Sequence, residues 1–220
     1  KFKKKPYAHQ LIALEKSWDK DYYALFMDMG TGKSKVLLDT ASMLYDKGRI
    51  ETLLIVAPKG VYQNWLQKEI PIHMPEHIIY HTVAWTPAVT KKKQAELATL
   101  FQTTEELKIL VMNVEAFSTK KGVNFAHKFL NSWKTLLCVD ESTTIKSKSA
   151  GRTKNLLKLG KMAVYRRILT GSPVTKSPLD LFTQCEFLEE ESLCQSSYWA
   201  FQNRYAKMIR RSVGTHSFHQ

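Results

Sequence analysis

Two short runs hold the residues whose types and order could do chemistry: Gly30-Thr31-Gly32-Lys33-Ser34 and, far along the chain, Asp140-Glu141. The first follows an apolar stretch, Tyr22 to Met27, and precedes Leu37, Leu38, Ala41 and Leu44 at helical spacing. A glycine turn between strand and helix, ending in Gly-Lys-Ser, is how a polyphosphate is cradled. Gly30 and Gly32 let the backbone curl and aim N–H groups at an anion, and the helix opening at Lys33 adds the positive end of its dipole. Lys33 can then reach the β- and γ-phosphates, and the Ser34 hydroxyl can ligate Mg²⁺. Met27 stands where such a signature usually begins with one more glycine. Alone, the run also fits a strand-to-helix turn with a capping serine.

Asp140-Glu141 ends the apolar run Leu136-Leu137-Cys138-Val139. Such a strand delivers both carboxylates to the edge of the sheet that carries the glycine loop. Asp140 can hold Mg²⁺ through water, and Glu141 can orient and deprotonate an attacking water. Thr170-Gly171-Ser172-Pro173 ends another strand, with small hydroxyl residues able to touch both the phosphate site and a moving partner; by itself it reads as a turn. His73, His77 and His81 repeat every four residues, but Pro75 interrupts them, so they do not read as a metal site.

The elements that position these residues follow from the hydrophobic pattern. Leu11, Ile12, Leu14 and Trp18 mark one face of a helix from His9 to Trp18, after a basic arm, Lys1 to Lys5, expected to be mobile. Strands are predicted at Tyr22–Met27, Thr52–Ala57, Ile78–Val83, Ile109–Met112, Leu136–Val139 and Ala163–Leu169. Helices are predicted after the glycine loop, through Val61, Trp65, Leu66 and Ile70, and from Lys91 to about Leu107. Strands apolar throughout and separated by helices predict an α/β fold: a doubly wound, mostly parallel sheet with helices on both faces. A helical tail follows.

Length and composition agree. The 220 residues, 44% hydrophobic and 24% charged, suit one globular domain. No apolar run approaches the ~20 residues of a membrane helix. The chain starts at Lys1 without a methionine or a leader pattern and reads as a fragment. Three cysteines without a Cys-x-x-Cys pair read as reduced thiols. The net charge of +13 predicts attraction to polyanions, nucleic acid first, against the plainer reading of a basic surface.

The order of these stretches resembles the first RecA-like lobe of the DExx-box helicase superfamily, and within it the Swi/Snf-type DNA translocases. Pro6-Tyr7-Ala8-His9-Gln10 is similar to the motif whose glutamine reads adenine, which implies that role for Gln10. Met29-Gly30-Thr31-Gly32-Lys33-Ser34 resembles the family's ATP loop, which dispenses with the glycine replaced by Met27. Ala57-Pro58-Lys59 with Asn64-Trp65, and Met112-Asn113-Val114-Glu115, resemble segments that grip nucleic acid, implying Lys59 and Asn113 as contacts. Asp140-Glu141-Ser142-Thr143-Thr144-Ile145-Lys146 and Leu169-Thr170-Gly171-Ser172-Pro173, with Leu179-Asp180-Leu181 and Phe187-Leu188, point to translocases over RNA-unwinding relatives. The resemblance implies that Thr170, Gly171 and Ser172 couple nucleotide state to motion.

The resemblance implies ATP and Mg²⁺ as ligands, double-stranded DNA as partner, and Lys33, Asp140 and Glu141 as the catalytic set. It has departures. Thr143 stands where the family usually has His, Ser172 replaces Thr, and Lys176 holds a place often held by Asn. No stretch matches a second lobe or its arginine finger. Residues 1–195 are therefore expected to form the ATP-binding lobe, and 196–220 a helical basic tail, carrying Arg204, Lys207, Arg210 and Arg211, toward that partner lobe. The compact layout suggests a bacterial or phage protein acting in cytoplasm, or in the nucleus if eukaryotic. The rivals are an RNA helicase lobe and a nucleic-acid-binding module with structural ATP.

Overall fold

The apolar runs assemble into one six-stranded parallel sheet in the order β1-β6-β5-β2-β4-β3. The computed structural model describes residues 2–87, 90–195, 197–207, 210–213 and 216–219, the last two stretches by their backbone alone. The strands are β1 (Tyr22–Phe26), β2 (Thr52–Ala57), β3 (Tyr80–Ala84), β4 (Leu107–Asn113), β5 (Thr135–Asp140) and β6 (Tyr165–Thr170). In β2, Leu53, Ile55 and Ala57 face one apolar layer while Leu54 and Val56 face the other. Both faces are thus covered, which is why the strands are apolar without alternation.

Helices α1 (Ala8–Ser17) and α2 (Lys33–Asp46) pack on the first face with the segment after β2. Leu37, Leu38, Ala41 and Leu44 of α2 are fully buried. Lys35 is buried too, its ammonium 2.6 Å from Asp39 Oδ2 one helical turn on. On the second face lie α5 (Lys91–Thr99), α6 (Lys120–Ser132), α7 (Gly151–Gly160) and α8 (Asp180–Leu188). The sequence reading has neither α6 nor α7. The start of α6 is built by Thr119, whose hydroxyl accepts from Gly122 N–H, and by Gly122 itself, where a Cβ would sit 2.2 Å from the Ala116 carbonyl oxygen.

Two expected helices differ. Helix α5 stops at Thr99 rather than near Leu107, because Leu107 is already paired with Tyr80 in the sheet. The helix through Val61 and Ile70 is broken into α3 (Tyr62–Asn64), a π-helical turn (Trp65–Glu69) and α4 (Ile70–His73). Pro71 is the physical reason: it has no N–H for the carbonyl four residues back and its ring crowds that carbonyl, so the turn widens and Ile70 N–H reaches back to Trp65 O.

The tail is helical as α9 (Tyr198–Tyr205), capped by the Ser197 hydroxyl, which accepts from Ala200 N–H. Beyond it, β7 (Arg210–Val213) and β8 (His216–His219) pair antiparallel, so Arg210 and Arg211 do not continue a helical face with Arg204. Their side chains, like Lys1 and the Ser196 at the expected boundary, lie outside the described residues. The basic arm is not free. Lys3 donates to the Pro71 carbonyl at 2.8 Å, and the Phe2 ring lies 5.2 Å from the Lys35 ammonium.

Candidate nucleotide site and nucleic-acid edge

The parallel topology sends the ends of β1, β5, β2 and β4 to one edge, and the expected site residues follow those ends. A cleft of about 350 Å³ there is lined by Met29, Gly30, Gly32, Lys33, Ser34, Asp140 and Glu141, together with Val61, Glu69 and His73. Every catalytic and loop residue expected from the sequence is in that set except Thr31 and Gln10. Gly30 and Gly32 have φ of +75° and +88°, the left-handed region that the turn requires. Thr31 secures the turn by donating its hydroxyl to Asp28 O at 2.7 Å.

The Lys33 ammonium lies at the base of the loop, donating to the carbonyls of Met27 (2.9 Å) and Asp28 (3.1 Å). Those are neutral acceptors that a phosphate oxygen can replace with a stronger, charged one. Gln10 is buried against the loop, its Nε2 donating to Thr31 O and its Oε1 accepting from Tyr7 N–H. A Cβ at residue 32 would come within 2.2 Å of that amide nitrogen, so Gly32 serves the close approach as well as the turn. Gln10 thus braces the phosphate loop instead of lining the cleft.

Asp140 is only 8% exposed. Its Oδ2 accepts from the Trp65 indole Nε1–H at 2.8 Å and its Oδ1 from the Glu141 amide at 3.0 Å. Burial, chiefly, pushes its pKa up to about 6; the Trp65 hydrogen bond opposes this, the Glu141 charge adds to it, and Lys33 draws it back. Glu141 is held at φ 47°, a left-handed conformation uncommon outside glycine. The Thr170 hydroxyl donates to Glu141 Oε2 at 3.3 Å while accepting from Ser172 N–H. At Gly171 a Cβ would come within 3.3 Å of the Met29 nitrogen, so the loop after β6 runs directly past the phosphate loop.

Among the described residues, the link from the Asp140-Glu141 loop to the loop after β6 and to helix α8 avoids the Thr143 side chain. It runs through Thr170, through Ser142 Oγ donating to Gln184 Oε1 (2.6 Å), and through Thr183 Oγ1 donating to Ile145 O (2.7 Å). Lys146 adds an ion pair to Asp180 at 3.3 Å. Burial alone would raise the Asp180 carboxyl, but hydrogen bonds from Thr175, Lys176 and Lys146 outweigh it and hold it well below the usual carboxylate range.

Lys59 and Asn113 follow β2 and β4, which are neighbours, with Ala57 opposite Asn113. Lys59 is exposed in the turn after β2. Asn113 has a structural task as well, its Oδ1 accepting from Ala116 N–H to cap the 3₁₀ turn Val114–Ser118. The three spaced histidines diverge: His73 lies 3.8 Å from Glu69, His77 Nε2 lies 3.0 Å from Asp46, and His81 lies 2.7 Å from Thr99. Trp65, Glu69 and His73 are site residues that sequence reasoning did not assign to the nucleotide. The break at Pro71 was the available signal.

A larger cavity, about 700 Å³, lies between the loops after β5 and β6 and helix α9, lined by Lys146, Lys148, Lys154, Lys176 and Trp199. It has no glycine loop, and its single carboxylate, Asp180, is already saturated. No arginine lines the nucleotide cleft among the described residues. Arg152 pairs with Glu115, Arg166 stacks on Tyr22, and Arg167 is fully buried with its guanidinium donating to the carbonyls of Ser17, Lys20, Asp21 and Arg166.

The fold has known counterparts. The structure is similar to a Sulfolobus solfataricus SWI2/SNF2 ATPase core in complex with dsDNA, with a TM-score of 0.71 and 18% identity over 93% of this chain and 40% of that one. It is also similar to a nuclease-deletion mutant of the Type ISP restriction-modification enzyme LlaGI in complex with a DNA substrate mimic, with a TM-score of 0.57, 15% identity, and coverage of 78% of this chain and 18% of that one. Among curated proteins, the chromodomain-helicase-DNA-binding protein 1-like of Mus musculus is 26% identical over 196 residues, which is 88% of this chain and 20% of the relative. The chain therefore spans a fifth of that relative's length. The family model of the SNF2-related domain matches residues 19–214, and the chain belongs to that family.

Proposed function

We propose that this chain is the nucleotide-binding lobe of an ATP-driven motor that moves along double-stranded DNA. One observation carries the reading: Lys33, Ser34, Asp140 and Glu141 share a cleft beside an edge from which Lys59 and Asn113 emerge on neighbouring strands. The two structural relatives were solved with dsDNA or a DNA mimic, which supports duplex over RNA as the track.

Each residue then has a role. The amides around Gly30 and Gly32, with the start of α2, cradle the phosphates, and Lys33 exchanges its carbonyl partners for phosphate oxygens. Gln10 braces the loop, and reading the base would require its amide to exchange its Thr31 and Tyr7 partners for the adenine edge. The donors available for a metal are the Ser34 hydroxyl and the Asp140 carboxylate, hard oxygen ligands that fit Mg²⁺. Among the described residues no cluster of His, Cys, Asp or Glu forms a metal cage by itself. When bound, Mg²⁺ neutralises charge building on the transferring phosphoryl group. Glu141, with Oε2 engaged by Thr170, keeps Oε1 to accept the proton of the attacking water. Thr170, Gly171 and Ser172 transmit the change at Glu141 to the loop after β6. Lys59 and Asn113 grip phosphates, so their contribution carries no sequence preference. A second RecA-like lobe completes the motor.

The test has two arms. Lys33→Ala should abolish ATP binding, followed by a fluorescent analogue, with the circular dichroism spectrum unchanged; wild-type affinity in the folded variant would overturn the reading. Duplex binding should weaken with salt, each phosphate contact adding about −0.9 to the slope of log affinity against log salt. Lys59→Ala should weaken binding to all sequences alike and flatten that slope. Salt-independent binding, or preference for single-stranded RNA, would favour a different module.

A further inference from the structure

We propose that Trp65 is a positioning residue for the Asp140 carboxylate, and that the π-helical turn it opens ties the Lys59 segment to the nucleotide cleft. The inference rests on the reading that Asp140 holds Mg²⁺. Trp65 is 1% exposed, and its one polar atom, Nε1–H, is spent on Asp140 Oδ2 at 2.8 Å. An indole can donate but never accept, so it bonds only an oxygen that presents a lone pair. The Glu141 amide holds the other oxygen at 3.0 Å. With a donor on each oxygen the carboxylate plane is fixed, and the lone pairs that remain belong to the cleft.

The widened turn matters to this aim. Trp65 opens the π-helical segment, and its carbonyl receives the Ile70 N–H across the extra residue. Glu69, closing that segment, and His73 and Val61 on either side all line the cleft, so one short element forms a wall of the nucleotide site. Asn64 Nδ2 donates to Glu69 Oε1 at 3.1 Å across the same turn. The element begins at Pro58-Lys59-Gly60, where Val61 and Tyr62 N–H groups both return to the Pro58 carbonyl. Lys59 and Trp65 thus sit on one short, internally hydrogen-bonded piece of chain, Lys59 exposed after β2 and Trp65 bonded to Asp140.

The experiment titrates a fluorescent ADP analogue into wild type, Trp65→Phe, Asp140→Asn and the double variant, each with excess Mg²⁺ and with EDTA. Phenylalanine keeps most of the apolar contact and deletes the N–H. Trp65→Phe should lose about tenfold or more of the affinity gained with Mg²⁺ and leave the EDTA affinity unchanged, a split that general loosening would not produce. In the Asp140→Asn background the same substitution should add nothing. If Asp140→Asn removes the Mg²⁺ gain and Trp65→Phe does not reduce it, the role of Trp65 is overturned while the metal reading stands. If Asp140→Asn leaves the gain intact, the metal reading itself fails. Should Trp65→Phe not fold, the assigned Trp65 indole N–H resonance in the wild-type chain decides: it should shift with Mg²⁺·ADP and stay in place with ADP in EDTA, and no difference between the two would overturn the proposal.

Discussion

Asp140 is subject to opposing demands: burial favours its neutral form, while its place beside Lys33 and Ser34 asks for the ionised one. Its pKa of about 6 against an ordinary 3.8 means the folded chain holds the proton more tightly than the unfolded chain. This carboxyl therefore favours folding below about pH 4, and that contribution is lost as the pH rises through about 6. Asp140→Asn cannot titrate. Wild type should lose stability relative to the variant between about pH 4 and about pH 7, by on the order of 2–3 kcal/mol. Urea unfolding of both proteins at the two pH values checks this; a constant difference would show that Asp140 titrates normally. At this scale the sequence was informative about Lys33, Ser34, Asp140 and Glu141, because their chemistry depends on local spacing. It set Trp65 on a helix and, with Asn64, in a stretch resembling a nucleic-acid grip, and left Glu69 unassigned; their places at the cleft depend on a helix phase that local spacing does not reveal and only Pro71 signals. Lys35 escaped it as well, since burial of a lysine needs a partner such as Asp39 at the right depth.

Among the elements, α1 is held by an unusual clamp. Arg167, in the middle of β6, spreads its guanidinium over the carbonyls at the end of α1 and the turn into β1. Burial pulls its pKa down to about 10, which still leaves it charged at neutral pH. Lysine lacks the planar fork and cannot serve those carbonyls together. Arg167→Lys should cost about 2–4 kcal/mol in urea unfolding, since carbonyls left unpaired in the interior each carry a desolvation penalty. A cost under ~0.5 kcal/mol would mean water replaces the clamp easily. The sequence showed six strands from their apolar runs, yet nothing in Tyr165-Arg166-Arg167-Ile168 distinguishes a buried clamp from a solvent-facing pair of arginines. Helix α7 was missed because its apolar face is short, Leu156 and Leu159 among lysines. By contrast, α6 shows Val123, Ala126, Phe129 and Leu130 at helical spacing, a signal the sequence reading did not take up. Helix α5 was drawn too long because polar helix and polar turn look alike until Leu107 is known to pair with Tyr80.

For the whole molecule, the decisive matter is charge on the transferring phosphate. The cleft contains one lysine and no arginine among the described residues, and an arginine finger supplies about 10³–10⁵ in rate. The chain alone should therefore bind ATP yet hydrolyse it barely above background and respond little to DNA. Adding a downstream second lobe, in cis or as a separate chain, should raise phosphate release by orders of magnitude, with Glu141→Gln as the inactive control. Strong DNA-stimulated turnover by this chain alone would mean that it carries its own finger. Among the described residues β1 pairs with β6 and with no other strand, which has a consequence for biosynthesis. The phosphate loop is attached to a strand whose hydrogen-bonding neighbour is made last of the six. As the chain leaves the ribosome, β5, β2, β4 and β3 can already lie side by side, but β1 must wait for residues 165–170 before it has a place. Nascent chains arrested before β6 is exposed should bind no nucleotide and leave β1 open to proteases, and those arrested well after it should gain both properties together. If shorter chains already bind nucleotide, β1 finds another partner first. Otherwise the cell never holds a half-made lobe with a working phosphate loop.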